Sequence, residues 1–572
     1  MTVHKKDVVS LLKKIAVYME LKGENPFKIS AFYKAANALE RDARSLSDIH
    51  DFTLISGIGK GTSAVIEEFI KTGESKTLQT LQKEVPEGLI PLLQLPGLGG
   101  KKIAKLYKDL GVVDIDSLKK ACEEHKVQSL QGFGKVTEEK ILAAIDEMNK
   151  KPGRLPLAYM LPIAEKIEKF LEKGQGNGIV RFSRAGSLRR MKETIKDLDF
   201  IIAAENKEAV RDYILTMPNI TEIIAKGDTK ISIELKFDVK VQVDFRIVHP
   251  KEFISALHHF TGSKEHNVKM RQLAKERGEK ISEYGVEIIE TGEVLTFESE
   301  KELYAHFQLP YIPPEVREDG EEVEKYKGNL ISLEEIKGDL HMHSTWSDGA
   351  HSIKEMAEAA KRKGYKYIAI TDHSQFLKVA NGLTPEQLKE QKEEIDMLNE
   401  QYSDFTIFRG IEMDILPDGT LDYDDDCLKE LDIVIASIHS NFSQPQSVIM
   451  KRLKAALYNN HVDIIAHPTG RLIGRREGYD VDIEMLLELA KETDTILELN
   501  ANPNRLDLCV EHLKKAKEYG VKVVINTDAH SINMLEHMEI GVAYARKAFI
   551  QPDDVVNTWD VEQLKQFLKR KD

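Results

Sequence analysis

Cysteine, long apolar runs and positive charge are all scarce in this sequence of 572 residues. The only three cysteines are Cys122, Cys427 and Cys509, which lie far apart. Such a set provides neither a disulfide framework nor a thiolate zinc site, and it predicts a reducing cytoplasm. No run of about 18 apolar residues predicts a membrane span. The N-terminus alternates charged and apolar residues, unlike a signal peptide.

The shortage of positive charge is an argument against nucleic-acid binding if it is taken alone. Lys and Arg number 81 against 95 Asp and Glu, for a net charge of -14. In a chain too long for one core, however, local basic patches set the contacts with phosphates. Carboxylates that hold metal ions also lower the net charge without repelling an anionic substrate. Composition therefore leaves the question open.

A glycine turn followed by a helix occurs three times in the first 150 residues. The glycine pairs are Gly57 and Gly59, Gly97 and Gly99, and Gly132 and Gly134, and the lysines beside them are Lys60, Lys101, Lys102 and Lys135. Such a turn presents backbone N–H groups and the positive helix end to an anion. One copy could be a plain helix–helix turn with solvated lysines, but three copies favour DNA binding. The turns resemble helix-hairpin-helix elements, which contact backbone phosphates without reading bases.

Two aspartates two positions apart mark the middle of the chain. Asp197 and Asp199 lie on a predicted strand, so both carboxylates leave the same face, and Asp244 can come from a neighbouring strand. Three convergent carboxylates suit two hard divalent cations, Mg²⁺ or Mn²⁺, in phosphoryl transfer. A lone aspartate pair would indicate an exposed acidic strand. The upstream segment Gly186–Arg190 (GSLRR) argues otherwise, because its turn, hydroxyl and guanidinium groups suit a triphosphate.

Residues 1–318 resemble the family X DNA polymerases, and the resemblance implies roles for specific residues. The implied catalytic metal ligands are Asp197, Asp199 and Asp244, and the implied phosphate-binding residues are Gly186, Ser187 and Arg190. The segment HHFTGSKEHNVKMR (258–271) resembles the nucleotide-binding segment of the family. In it Phe260 and Gly262 would flank the sugar, Asn267 would contact the incoming base from the minor-groove side, and Arg271 would lie near the template strand.

Two positions depart from the family pattern. Animal members place tyrosine where His259 stands, so discrimination between sugars can differ in this chain. Lyase-competent members carry a Schiff-base lysine at the position of Val65. Valine has no amine, so we do not predict deoxyribose-phosphate lyase activity.

Histidines and carboxylates cluster at the ends of predicted strands in the last third of the chain. Short apolar strands alternate there with helices, which predicts a parallel β/α barrel whose site residues gather at the strand ends. The candidate ligands are His341, His343, Asp348, His373, Glu412, His439, His467, Asp528 and His530. A single buried histidine is usually structural, but nine such ligands predict two to three Mn²⁺ or Zn²⁺ ions, with Glu412 as a bridge. Such a centre generates hydroxide and clamps a phosphodiester.

Residues 334–572 resemble the PHP (polymerase and histidinol phosphatase) phosphoesterase domain, with every expected ligand present. The resemblance implies an active 3′→5′ exonuclease, and it leaves abasic-site cleavage open. Arg471, Arg475 and Arg476 either contact substrate phosphate or form a solvated loop. The acidic run 422–426 is expected to lie outside the site.

The whole chain is therefore predicted to be multidomain, with all-α helix-hairpin-helix modules, an α+β nucleotidyltransferase palm with a thumb, and a C-terminal α/β distorted TIM-like barrel. The predicted domains are an N-terminal helix-hairpin-helix DNA-binding domain (1–82), fingers (83–151), a catalytic palm (152–256), a thumb (257–318), a linker (319–336) and a PHP domain (337–572). The segment 312–329 is rich in proline and acid, which predicts an exposed linker.

This organisation predicts a function and leaves two alternative functions to compare with it. We expect a monomeric repair polymerase, cytoplasmic and associated with the nucleoid, that binds gapped or primer-template DNA and dNTPs and fills short gaps. One rival is a small-molecule phosphatase with an unrelated N-terminal half, which the three glycine turns disfavour. The other is a DNA-end-binding scaffold with vestigial catalysis, which the intact carboxylate and histidine sets disfavour.

Overall fold

The computed structural model describes residues 5–41, 46, 49–95, 98–150 and 153–568. Gly97, one of the predicted DNA-contact glycines, lies outside these residues. Within the described ranges, no helix is long and apolar enough to cross a membrane.

The described residues before 151 form helices around a hydrophobic core of their own. The helices are α1 (Lys5–Lys22), α2 (Pro26–Arg41), α3 (Lys60–Thr72), α4 (Lys76–Glu84), α5 (Gly100–Leu110), α6 (Ile115–Glu123) and α7 (Lys135–Lys150). As predicted, α3, α5 and α7 each begin directly after a glycine turn. Gly57 adopts φ 100°, which side-chain-bearing residues rarely adopt, and a Cβ there would lie 3.2 Å from the Cβ of Ala38. The turn therefore requires glycine at this position.

The predicted palm is an α+β unit built on a five-stranded sheet. Its elements are β1 (Leu155–Pro156), α8 (Leu157–Lys173), β2 (Ile179–Arg184), α9 (Gly186–Arg189), β3 (Thr194–Ile195), β4 (Asp197–Ala204), α10 (Lys207–Ile214), β5 (Ile220–Lys226), β6 (Lys230–Lys236) and β7 (Lys240–Val248). The strand order is β2-β4-β7-β6-β5. The central pair β4 and β7 is parallel, and the other pairs are antiparallel. In β4 half-buried residues alternate with buried ones at its start, as a strand with one packed face requires.

The predicted thumb follows directly. It consists of α11 (Phe253–Thr261), α12 (Lys264–Glu276), β8 (Glu279–Ile281), β9 (Val286–Ile288), β10 (Val294–Leu295) and α13 (Glu300–His306), and the three strands form an antiparallel sheet. Its core includes Phe253, Met270, Tyr304 and Val316.

The prediction of an exposed linker after the thumb is wrong. The segment contains the short helix α14 (Glu322–Lys325), and Glu315, Arg317 and Glu322 are 5%, 0% and 2% exposed. Nη1 of Arg317 donates to Oε1 of Glu300 at 2.8 Å, and Nδ1 of His266 lies 2.6 Å from Oε1 of Glu322. Glu315, Glu318 and Glu322 of this segment are partners of Arg546, Lys547 and His266, because buried charges require such pairing, while Asp319, Glu321 and Glu324 are exposed.

The C-terminal domain is the predicted barrel, with seven parallel strands in sequence order. Its elements are β11 (Gly338–Asp339), α15 (Ile353–Arg362), β12 (Tyr367–Ile370), α16 (Pro385–Gln401), β13 (Thr406–Asp414), α17 (Asp425–Leu428), β14 (Ile433–Ser437), α18 (Gln446–Leu457), β15 (Ile464–Ile465), α19 (Ile483–Glu492), β16 (Ile496–Asn500), α20 (Val510–Tyr519), β17 (Val523–Asn526), α21 (His537–Lys547) and α22 (Val561–Leu568). A parallel bridge between Met342 and Ala529 brings the first strand against the last. Seven strands instead of eight make it a distorted member of the TIM-like barrels.

The palm and the barrel share one continuous cluster of buried apolar side chains. Palm residues such as Leu157 and Phe245 belong to the same cluster as barrel residues such as Ile370 and Val523. The two units therefore pack on each other, which an extended connection between independent domains would not produce.

Candidate functional sites: a palm carboxylate face and a barrel metal centre

The three palm aspartates lie where the sequence predicts, on adjacent strands. Asp197 and Asp199 begin β4 two positions apart, and Asp199 is in register with Asp244 of the parallel strand β7. All three are half-buried. Nζ of Lys230 lies 3.2 Å from Oδ2 of Asp244, and Gln242 donates to Oδ1 of Asp244 at 3.1 Å. The carboxylates thus share one face of the sheet, next to a lysine that the sequence analysis did not single out.

The palm carboxyls differ in proton affinity. Burial, together with the charges of Asp197 and Asp244, raises the pKa of Asp199 to about 7. Burial acts in the same direction on Asp244, but hydrogen bonds from Gln242, Ser232 and Lys230 outweigh it and lower the pKa of Asp244. A neighbouring cation would favour the ionised form of Asp199.

The residues 186–194, which we name the nucleotide loop, adjoin these carboxylates. Gly186 adopts φ 57°, and a Cβ there would lie only 2.0 Å from Oδ2 of Asp199, so only glycine permits this approach. Ser187 and Arg190 follow on α9 and at its C-terminal end. The Arg190 guanidinium donates from Nη1 to the carbonyl of Thr261, while its buried Nε has no hydrogen-bond partner. The loop therefore presents a partly unpaired cation beside the carboxylates.

The predicted nucleotide-binding segment of the thumb faces the same loop. A Cβ at Gly262 would lie 3.1 Å from Nη1 of Arg190, so the two halves of the site touch at this point. Nδ2 of Asn267 donates to the carbonyl of His259 at 2.7 Å, while its buried Oδ1 is unpaired. Arg246 lies 4.6 Å above the ring of Phe260. Arg271 is exposed on α12.

The helix-hairpin-helix turns keep their predicted form in the described residues. Gly59 and Gly99 are the N-caps of α3 and α5, and Gly132 adopts φ 91° before α7. Lys60 is the first residue of α3, and Lys101 lies in the first turn of α5. The backbone N–H groups at such helix starts are the donors that phosphate contacts would use.

In the barrel the nine predicted ligands gather at the carboxyl ends of the strands. Three overlapping groups have ligand atoms within 4.8 Å of one another. The groups are His343, Asp348, His373 and His530; His341, His343, Glu412 and Asp528; and His373, Glu412 and His439. The ninth, His467, places Nε2 2.9 Å from Oε1 of Glu412. Glu412 belongs to two groups, which is the position that a bridging carboxylate needs. Among the described residues, the palm aspartates do not form a group at this spacing.

Unpaired buried atoms show that this centre suits metal ions. Four buried atoms have no hydrogen-bond partner among the residues that the structure describes: Nε2 of His341, Nδ1 of His343, Nδ1 of His373 and Oε2 of Glu412. Nδ1 of His373 lies 2.9 Å from Oε2 of Glu412 without hydrogen-bond geometry. Such orphaned lone pairs are costly unless an ion satisfies them. The mix of imidazole and carboxylate donors fits transition-type ions.

The electrostatics of the barrel centre reflect mutual stabilisation of opposite charges. Burial opposes ionisation, yet the surrounding imidazoles hold the pKa values of Glu412 and Asp528 well below the usual carboxyl range. Burial likewise opposes protonation of His439, but Glu412 and Asp414 raise its pKa to about 10. A metal ion would take over the role of these protons.

Two carboxylates that support the ligands were not predicted. Glu498 on β16 accepts from Nδ1 of His341 at 2.7 Å and from the backbone N–H of His467 at 3.0 Å. Asp414 at the end of β13 lies 3.2 Å from Nδ1 of His439. Such partners fix the orientation of ligand imidazoles and raise their basicity. The signal available in the sequence was an acidic residue in an otherwise apolar strand, as in ILELN (496–500).

The arginines after His467 differ from one another: Arg475 is exposed, as the solvated-loop alternative predicts, whereas Arg471 and Arg476 are half-buried and contact other protein groups. Arg471 is half-buried and donates from Nη2 to Oε1 of Glu193 in the palm at 2.8 Å, so it joins the two domains. Arg476 lies 4.0 Å above the ring of Phe442 and donates to the carbonyl of Gly470. The acidic run 422–426 contributes no residue to the three ligand groups, in agreement with the prediction.

Family models match four segments of the chain. Residues 3–75 match the helix-hairpin-helix domain, and residues 89–147 match the SAM-like helix-hairpin-helix tandem. Residues 256–318 match the DNA polymerase beta thumb, and residues 339–502 match the PHP domain. The matches thus cover the DNA-binding, thumb and barrel portions.

Similar proteins fall into two kinds. The DNA polymerase/3'-5' exonuclease PolX of Bacillus subtilis (strain 168) is 64% identical over 571 residues, which cover 100% of both chains. A probable phosphatase of Thermoanaerobacter sp. (strain X514) is 34% identical over 244 residues, 41% of this chain and 94% of its own. A probable phosphatase of Caldanaerobacter subterraneus is 32% identical over 244 residues, 41% of this chain and 91% of its own. The full-length match and the domain order show that this chain belongs to the family X DNA polymerases that carry a PHP domain.

Proposed function

We propose that this protein is a DNA-directed DNA polymerase that fills short gaps during DNA repair and carries a 3′→5′ exonuclease in its barrel. One observation carries the proposal. A single chain presents two separate donor sets, one in the palm and one in the barrel, and it matches a named polymerase/exonuclease along its whole length.

In the palm, Asp197, Asp199 and Asp244 would hold Mg²⁺ or Mn²⁺, since hard carboxylate oxygens are the donors these ions prefer. When bound, the ions would acidify the primer 3′-hydroxyl and offset charge during in-line transfer. Ser187 and the Arg190 guanidinium would bind the triphosphate. Phe260, Gly262, Asn267 and Arg271 would orient the sugar, the base and the template.

In the barrel, the nine ligands would hold two to three Mn²⁺ or Zn²⁺ ions, and Glu412 belongs to two of the ligand groups. The ions would supply hydroxide near neutral pH and polarise the phosphodiester. Glu498 and Asp414 hold the imidazoles of His341 and His439 in place. Cleavage at abasic sites is a further activity that this centre could perform, because it breaks the same kind of bond.

DNA would be held through its backbone by the helix-hairpin-helix turns. These turns are followed by Lys60, Lys101 and Lys135 at helix starts, where backbone N–H groups and lysines meet phosphates. We further propose a monomer in the cytoplasm, associated with the nucleoid. Lyase activity is not proposed, because Val65 is buried in α3 and has no amine.

The test is a primer-length assay on a duplex with a one-nucleotide gap and a 5′-labelled primer. Wild type should extend the primer with dNTPs and Mg²⁺ or Mn²⁺, and should shorten it without dNTPs. The double variant Asp197→Ala and Asp199→Ala should lose extension but keep shortening. The double variant His341→Ala and His343→Ala should lose shortening but keep extension. If no gapped substrate is extended under any condition, the polymerase proposal fails.

The phosphatase relatives of the barrel define the competing function. They cover the barrel portion of this chain and are named phosphatases. Hydrolysis of a small phosphomonoester such as p-nitrophenyl phosphate, with no shortening of DNA, would favour that function over the exonuclease.

A further inference from the structure

Two residues of the barrel helix α21 contact the nucleotide loop of the palm. Nζ of Lys547 donates to the backbone carbonyl of Arg190 at 2.9 Å, and it also contacts Glu318. The hydroxyl of Tyr544 donates to Oε1 of Glu193. Tyr544 and Lys547 are three positions apart, so they lie on one face of the helix. This face therefore holds the loop at two points.

The donors in this contact are deeply buried. Tyr544 is 0% exposed and Lys547 is 9% exposed. A buried ammonium group must be paired, and Lys547 has the Arg190 carbonyl, the Glu315 carbonyl and the Glu318 carboxylate as acceptors. Because the donors are buried, their hydrogen bonds are stronger than the same bonds would be in water.

The held positions are next to the groups that would bind nucleotide phosphates. Fixing the Arg190 carbonyl fixes the backbone from which the Arg190 guanidinium extends, and its Nε remains without a partner. Glu193 is held a second time by Nη2 of Arg471 at 2.8 Å. The contacts thus act on the part of the palm where phosphates would bind.

We propose that Lys547 and Tyr544 of the barrel are positioning residues for nucleotide binding in the palm. This inference rests on the proposed polymerase function. Through these contacts the barrel gives the polymerase a preorganised nucleotide loop, in addition to its own hydrolytic chemistry. Preorganisation improves binding because the loop loses less conformational freedom when the nucleotide arrives.

The first experiment compares full-length Lys547→Met with the wild type. We expect the KM for the incoming dNTP to rise about tenfold with kcat nearly unchanged, because a charged hydrogen bond to the loop is lost. The 3′→5′ exonuclease rate on single-stranded DNA should stay at the wild-type value, whereas the thermal unfolding midpoint should fall, because Glu318 and two backbone carbonyls lose a buried cationic partner.

A matched control is Lys522→Met. Lys522 is another barrel lysine that donates to a backbone carbonyl, that of Asp553 at 2.6 Å, but this contact is exposed and lies within the barrel. The KM of Lys522→Met for the incoming dNTP should equal that of the wild type. An unchanged KM in Lys547→Met would overturn the proposal, as would an exonuclease rate that falls as far as the extension rate in that variant.

A double-mutant cycle tests the second contact. Tyr544→Phe should raise the KM for dNTP about tenfold, the scale of one hydrogen bond to a charged group, and Glu193→Ala, which also removes the ion pair with Arg471, should raise it at least as much. The double variant should be no worse than Glu193→Ala alone, because that variant has already lost the contact with Tyr544. If the KM increase of the double variant equals the product of the two single increases, the Tyr544–Glu193 contact does not position the loop, and the role proposed for Tyr544 is overturned.

A direct binding measurement separates this inference from the polymerase proposal. Calorimetry would compare binding of a non-incorporable dNTP analogue, with Mg²⁺ and gapped DNA, to the wild type and to Lys547→Met. If the wild type extends no primer, the polymerase proposal fails, while about tenfold weaker analogue binding by the variant still supports the positioning role. Equal binding by both proteins, or no binding by the wild type, overturns it.

Discussion

The palm and the barrel both gather carboxylates for metal ions, but they hold them in different ways. His341, His343 and Glu412 of the barrel are at most 1% exposed, and further carboxylates fix the imidazoles. The palm aspartates are half-buried on an open sheet face, and Asp244 is paired with Lys230. The barrel therefore arranges its donors before any ion binds, whereas the palm presents donors to charges that arrive with the substrate.

The largest expected effect tests whether the two sites are independent. Glu412→Gln removes the carboxylate shared by two ligand groups, so the exonuclease rate should fall by about 10²–10³-fold, the scale of losing a key charge-stabilising group. Primer extension should remain at the wild-type rate. A parallel loss of extension would show that the barrel centre also serves the palm, and the contrast between the sites would break down.

The next largest effect is on the folding stability of the polymerase half, which contains a network of buried charges. Arg317→Met leaves Glu300 paired with Arg189 alone, and breaking a buried pair destabilises a protein by about 3–5 kcal/mol. Urea unfolding measures this change. The matched control is Lys325→Met, whose partner Glu321 is exposed and which should change stability by about 0–1 kcal/mol. Equal free energies of unfolding for the two variants would show that the Arg317–Glu300 pair does not stabilise the protein.

A smaller effect is expected at Glu498, which orients one of the barrel imidazoles. Glu498→Gln keeps the shape of the side chain but removes the charge that orients His341, so exonuclease activity and metal affinity should fall about 10–100-fold. Metal content after dialysis, measured by atomic absorption, and the exonuclease rate report this loss. Full metal occupancy with a normal rate would show that the neighbouring ligands suffice to orient His341.

The smallest effect is a pH dependence of the palm. Because the pKa of Asp199 is about 7, this carboxyl is largely protonated below that pH and must lose its proton to bind a cation. The Mg²⁺ concentration for half-maximal extension should therefore fall as pH rises from about 6 to 8, by at most about tenfold per unit below the pKa. A Mg²⁺ requirement independent of pH would contradict a raised pKa at this site.

The local patterns were predictable because they depend on neighbours in the chain. Gly57 adopts a positive φ that favours glycine, Gly59 is the N-cap, and α3 begins at the next residue. The spacing of Asp197 and Asp199 places both on one face of a strand. Histidines directly after apolar strands, such as His373 and His439, predict a shared site because parallel strands end at one edge of a barrel.

Contacts between distant segments were not predictable. Glu498 reads as an ordinary acid in a strand until His341, 157 positions away, lies beside it. The segment after the thumb looks solvated in the sequence, but its Arg317 pairs with Glu300 of the thumb and its Glu322 contacts His266. In the sequence, Lys547 and Tyr544 look like ordinary helix residues, and nothing near them in the chain indicates their contacts with Arg190 and Glu193.

The sequence by itself therefore determined the element types, the two ligand sets and the domain order, since turn geometry and strand periodicity are local. Only the tertiary structure decided which buried charges are paired and how the barrel contacts the nucleotide loop. The physical reason is that pairing a buried charge depends on distance in space, and one sequence does not contain that distance.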